Sequence, residues 1–356
     1  MTAPRRLRAA SLPAALTFSM VAALVMAALI FSSLLGDGLL ARLEKKEQAA
    51  SAIHAACLLY GRDSTAFDST RVCPFPQSGI EVRELKSMHG LYGRLTLDTG
   101  LWGESRMTRS YLTGMTSLPD NARGIYVPDC GTILTIGDDC RFSSGLFLPR
   151  GVFRIFGYGG AELDSLTVSC SGAAMPELSA GARDILLHSW YDEADEVILK
   201  GRDVVEDTIV WARRIVIDST FAGCVQAFAR DSIVVTEGAR LEYPSGVCLV
   251  SDGEKSGIRV ASRAVIEGYA VILDRGTYEQ ADGSLVRGLV YAPGRAFVDG
   301  SVTGCAFLGN PCCRDRRRGV TEFTLAGVVQ NGNEVYAYPE LFDAPAGRTV
   351  IKRLEL

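Results

Sequence analysis

The residues best placed to do chemistry form one short run: Trp190, Tyr191, Asp192, Glu193, Asp195 and Glu196. Its four carboxylates could hold a cation through oxygen ligands, and the two rings could stack on a sugar. A glycan-binding or glycan-cleaving β-helix would work with acids clustered in this way. The simpler reading is a solvated acidic turn, the commonest fate of such a run.

Other candidates are sparse. Asp138 and Asp139 are adjacent, so from a strand-like corner they project in different directions. The three histidines, His54, His89 and His188, lie far apart and read as structural, so no metal site is expected. There is no G-x-S-x-G, H-E-x-x-H, C-x-x-C or phosphate-binding glycine loop. Gly157-Tyr158-Gly159-Gly160 lacks the final glycine of a dinucleotide fingerprint. The sequence therefore implies no catalytic residue and no cofactor. Arg316-Arg317-Arg318 reads first as a solvated loop and second as a site for an acidic partner.

The ten cysteines all follow residue 56. An oxidising compartment would permit disulfides, with Cys57–Cys73 and Cys130–Cys140 as local pairs. Cys312 and Cys313, after the turn-like Asn310-Pro311, are the pair expected to oxidise or react. Cys170, Cys224, Cys248 and Cys305 sit within or beside apolar runs and would instead serve as small buried residues. Sequence leaves the pairing open.

The elements that would carry these residues begin with a membrane segment. Arg5, Arg6 and Arg8 precede an uncharged run from Leu12 to Gly36, 25 positions long. As a helix that run spans about 37 Å, enough to cross a hydrocarbon core of about 30 Å. The flanking charges place residues 1–11 in the cytoplasm and the bulk of the chain in the periplasm. The run is longer than a signal-peptide core and ends in a poor cleavage site, which favours an uncleaved anchor in the inner membrane. Residues 37–60 continue as a helical neck, with Leu43, Ala50, Ile53, Cys57 and Tyr60 on one face. This layout is that of pilin-like proteins, although the glycine-ended basic leader and the early glutamate are missing.

Residues 61–124 read as an irregular β-rich region. From 125 to 310, short β-branched runs alternate with Gly, Asp, Ser or Pro, as in Ile215-Val216-Ile217, Ile233-Val234-Val235 and Gly257-Ile258-Arg259-Val260. Ile185-Leu186-Leu187 reads as another such run. The spacings are unequal, 18 positions from Ile215 to Ile233 and 25 from Ile233 to Ile258. No rung could bury its apolar side chains alone, so the pattern predicts a mainly β fold, a parallel β-helix whose stacked rungs share one column.

The blocks ILTIGDDCRFSSGLFLPRG, VQAFARDSIVVTEGARLEYPSGVCL and VDGSVTGCAFLGN resemble an uncharacterised group of bacteroidete envelope proteins. That resemblance implies one N-terminal membrane helix and a β-solenoid, and no catalytic residues. The rung style is more weakly similar to that of bactofilins, polymer-forming β-helices.

The expectation is a scaffold or assembly component anchored through residues 12–36, with other envelope or pilus-like assembly proteins as partners. Basic and acidic residues number 37 and 41, so nothing points to nucleic acid. Residues 311–356 read as a cap over the last rung, which would keep the exported domain monomeric or weakly self-associating.

Overall fold

The computed structural model describes residues 11–62, 71–75, 79–99, 106–118, 124–129, 131–137, 139–148, 153–156, 168–169, 175–201, 208–250, 255–315, 319–331, 337–343 and 347–354. The first of these segments is one continuous helix, α1 (Ser11–Arg62). Ala, Leu and Met dominate it, and Pro13 falls in the first turn, where its missing N–H breaks no hydrogen bond. Thr17 and Ser19 fold their hydroxyls back onto the carbonyls of Pro13 and Leu16, each at 3.0 Å. From Ala15 to Gln48 the side chains are exposed, large leucines, valines and phenylalanines included. This is the one helix among the described residues long and apolar enough to cross a membrane.

The far end of α1 behaves differently. Ala49, Ala52, Ile53, Ala56, Cys57 and Tyr60 are buried at the three- and four-residue spacing of one helical face. Of the face expected from sequence, Ile53, Cys57 and Tyr60 are buried, whereas Leu43 is 62% exposed and belongs to the free part.

What buries that face is an antiparallel sheet. Strands β1 (Arg71–Phe75), β2 (Ile80–His89), β3 (Tyr92–Thr99) and β4 (Met107–Met115) form a meander. Val82, Leu95, Leu97 and Tyr111 pack under α1. The region expected to be irregular is therefore a regular sheet on one side of a helix. Alternation in Arg94-Leu95-Thr96-Leu97-Asp98 was its visible trace.

The second body is the solenoid, shown as about seven turns of parallel stacked strands. Its first strands are β5 (Gly124–Tyr126), β6 (Leu134–Gly137), β7 (Arg141–Phe142), β8 (Leu146–Phe147), β9 (Phe153–Phe156) and β10 (Val168–Ser169). A short helix, α2 (Ala180–Leu186), follows. Winding resumes with β11 (Ala194–Leu199), β12 (Thr208–Ile217), β13 (Ala222–Gly223), β14 (Val225–Val235) and β15 (Arg240–Leu249). It goes on through β16 (Gly257–Val260), β17 (Val265–Ile272), β18 (Thr277–Gln280), β19 (Leu285–Val298) and β20 (Ser301–Asp315). Last come β21 (Gly319–Glu322), β22 (Thr324–Leu325), β23 (Val329–Asn331) and β24 (Arg348–Leu354).

Each turn presents three short faces, and inward side chains stack from turn to turn. Ile215, Ile233, Ile258, Tyr278 and Ala296 lie in register down one such column and are all buried. Burying each large apolar side chain contributes roughly 1.5–3 kcal/mol, and no single rung could do it alone. The expected spacings of 18 and 25 are real register partners. Tyr278 is tolerated inside because its hydroxyl reaches Gln280 Oε1 at 3.1 Å, whose Nε2 donates to the Ser301 carbonyl at 2.9 Å.

The order of rungs does not follow the chain. Reading along the stack, neighbouring strands run β10, β8, β5, β20, β19, β17, β15, β14, β12, β11, the first face running from β10 to β12 and the second, which holds Ile215 and Ile233, from β9 to β11. The chain starts mid-stack at β5, winds outward to β10, crosses to the opposite end at β11, and winds back until β20 docks beside β5. At that seam Cys305, Ala306 and Phe307 pair with Gly124, Ile125 and Tyr126. β22 likewise pairs with β6, and β23 with both β20 and β7.

This path changes three expectations. The described residues of 311–356 do not cap an end. Residues 311–315 continue β20, residues 319–331 fill the seam, and β24 leaves the solenoid to pair with β4 as the fifth strand of the first sheet. Asn310-Pro311 is not a turn, because Pro311 sits inside β20 opposite Ala296. Ile185-Leu186-Leu187 is not a rung either. Ser179 caps α2 by accepting from the Ala182 N–H at 3.2 Å, and Ala180, Gly181 and Ala182 let the chain coil there.

The two bodies are sutured along the outer side of the first face. Leu91, Tyr92, Leu112, Ala182, Leu341 and Phe342 cover it. Gln226 of β14 spans the joint: its Oε1 accepts from the Leu91 N–H at 3.1 Å and from the Tyr269 hydroxyl at 2.7 Å, and its Nε2 donates to the His89 carbonyl at 2.9 Å.

Candidate functional site at the first rung

The acidic and aromatic run lies between α2 and the first half of β11, on the terminal rung at one end of the stack. The reason its members are held there is a ladder of outward side chains on the first face. Trp211, Phe228, Cys248, Val271, Tyr291, Phe307, Tyr126 and Phe147 are register partners in succession. Trp211 and Phe228 stack at 4.4 Å between ring centroids. His188 lies on the other face of Trp211 at 3.8 Å, 20° from parallel, where the next rung's ring would stand. Trp190 meets both His188 and Trp211 edge-on, at 5.2 Å and 5.6 Å. Glu193 fixes the imidazole through a 2.9 Å contact to Nε2.

The run therefore divides. Trp190 and Glu193 are half-buried and occupied in ending the ladder. Tyr191, Asp192, Asp195 and Glu196 are exposed, Tyr191 by 97%. Asp195 meets Arg213 of the next rung at 3.4 Å, and Arg213 meets Asp231 of the rung after it at 3.3 Å. The four acids stand along an edge strand and its approach, and they do not converge on one point. Among the described residues no group of three His, Cys, Asp or Glu side chains could hold a metal ion.

The cysteines are placed by the same topology. Cys57, Cys73, Cys140, Cys248, Cys305 and Cys312 are free thiols. Cys57 is buried under α1 while Cys73 is exposed on β1, so the proposed local pair is not formed. Cys130 and Cys170 lie outside the described residues, as do Asp138, Gly157 to Gly160 and Arg316 to Arg318. Cys140 faces the inner column, and burial pushes its thiol up to about 12. Cys248 and Cys305 are buried as expected, but in the outer ladder under the first sheet instead of the inner column. Burial raises both thiols, Cys305 to about 12, which leaves them poor nucleophiles at neutral pH. Cys312 is buried and Cys313 half-buried on β20.

Sequence reading did not find the His188–Trp211 stack or the Gln226 joint. Both depend on which rung neighbours which, and only the spacing of 17 residues between Trp211 and Phe228, close to one turn, carried a trace of it. Set against known proteins, the chain matches no family model, no curated protein and no solved structure.

Proposed function

We propose that this protein is a membrane-anchored structural or assembly component of the cell envelope, displaying its β-solenoid on the periplasmic side of the inner membrane. The observation that carries this reading is the division of α1. Its exposed part, Ala15–Gln48, is 34 residues, about 51 Å at 1.5 Å per residue, against a hydrocarbon core of about 30 Å. Such a helix crosses the bilayer and still holds the body clear of it, and its last quarter, buried along one face, ties the body to the stalk. A helix mostly free and clamped at one end on an antiparallel sheet also supports work alongside a pilus-like or secretion apparatus. The basic residues ahead of the span supply the orientation.

The test is a reporter active only in the periplasm, fused after Leu356. Activity there, with release of soluble protein on deletion of residues 1–38, supports the reading. Activity of a cytoplasmic reporter at the same position overturns it.

A further inference from the structure

The solenoid has two ends, and their second faces are complementary. At one end β11 pairs only with β12 among the described residues, and at the other β9 pairs only with β6. Both are therefore edge strands with one ladder of backbone N–H and C=O groups facing outward.

Their side chains match in pattern. Val197 and Leu199 of β11 align with Ile215 and Ile217 on the inner side, and Glu196 points outward. On β9, Phe153 and Ile155 align with the inward Leu134 and Ile136, and Arg154 is outward and exposed. Ile136 is fully buried, yet Ile155, the next residue in that inner column, is 48% exposed. Among the described residues nothing closes the column at the β9 end.

Charge follows the same logic. Where charged side chains meet across consecutive rungs they alternate in sign, as in Asp195–Arg213–Asp231 and in Glu267–Arg287 at 2.8 Å. The rung that would continue the stack beyond β11 must then be an extended parallel strand, apolar inward and basic outward. β9 is such a strand.

We propose that a second copy of this chain stacks head to tail, with the β9 edge of one molecule on the β11 edge of the next. Placing Arg154 beside Glu196 sets Ile155 opposite Val197 and closes the column. Head-to-tail stacking keeps every strand parallel, as elsewhere on this face. Like ends related by a two-fold axis would run antiparallel and set Arg154 near Arg154, or Glu196 near Glu196, which repel. The contact is therefore polar, and it can repeat. It does not depend on the membrane reading, because neither edge includes α1.

The experiment is sedimentation velocity of the full chain in excess detergent micelles over a wide protein concentration range, with electron microscopy of the fast fraction. The native chain should form concentration-dependent, open-ended oligomers. R154E and E196R change exposed side chains, so each should keep the native melting temperature and yet weaken association about tenfold or more. An equal mixture of R154E and E196R restores association, because each then offers the charge the other lacks. A native chain that sediments as a monomer at every concentration overturns the proposal. So does association that both charge reversals leave unchanged, which would place the contact on the apolar helix.

Discussion

At Gly268 the backbone holds φ at +140°, and a Cβ there would lie 1.8 Å from the Ser245 carbonyl oxygen of the neighbouring rung. Gly288 repeats the situation one turn on, against the carbonyl of Gly268. These corners need glycine on both counts, so Gly268→Ala should cost about 3 kcal/mol or more in denaturant unfolding. Gly223→Ala, whose added Cβ would meet only a Phe221 ring atom at 3.8 Å, should be close to neutral. The sequence shows both glycines equally as punctuation; the carbonyl that makes one indispensable comes from 23 residues away. Asp299 offers a pH test. Partial burial lifts its carboxyl above the ordinary 3.8, Asp139 and Asp282 add to this, and Arg314 opposes it. The folded state then holds the proton more tightly than the unfolded chain, so this contribution is full in acid and lost as pH rises through the raised value. Asp299→Asn should accordingly raise the melting temperature at pH 7, and the gain should vanish below about pH 4. Thiol labelling checks the cysteines: Cys73 should alkylate in the native protein, and Cys140, Cys248 and Cys305 only after denaturation, as read by mass spectrometry.

At the scale of elements, the stalk and the rungs were legible and the joints were not. The unbroken apolar run and the Ile53-Cys57-Tyr60 face lie within one helix, so local periodicity carries them. The β-branched runs likewise mark strands wherever they fall. The short run Ile185-Leu186-Leu187 has the same composition, yet Ser179 and the small residues after it start a helix, and composition over three residues cannot separate the two. The acidic run shows the same limit at the site. Its residues were legible, but that Trp190 and Glu193 serve a ring ladder while Asp195 serves a rung pair depends on partners far along the chain. The Gln226 joint makes the point testable. Gln226→Leu would remove the acceptor that the Leu91 N–H and the Tyr269 hydroxyl share in a buried site, and the donor to the His89 carbonyl. A loss of about 3 kcal/mol or more is expected, with earlier hydrogen exchange in β2 and β3 than in β14 to β19. Uniform exchange across both bodies would show that the joint is not where they part.

For the whole molecule, the winding order matters more than the winding itself. In a solenoid that winds in one direction, each turn rests on the one just made and contacts stay local. Here the seam joins residues about 180 positions apart, and β24 completes a sheet begun at β1. A chain truncated before Ser301 keeps α1 and most of its rungs, but leaves β5, β19 and β4 each short of one neighbour. It should be degraded several-fold faster than the full chain in a pulse-chase. Equal lifetimes would mean that β5 to β10 and β11 to β19 are stable separately.

That seam also sets a clock. A polypeptide made from its N-terminus delivers β5 to β10 early and their docking partner late. For that interval the early rungs stand as a half-built stack, with an apolar column and two strand edges awaiting a neighbour not yet made. Partial chains thus differ from finished ones by an open edge at β5, which only the late arrival of β20 closes and which any protease or holding factor can read without knowing the sequence. A fold wound outward from its own middle carries its own mark of completion.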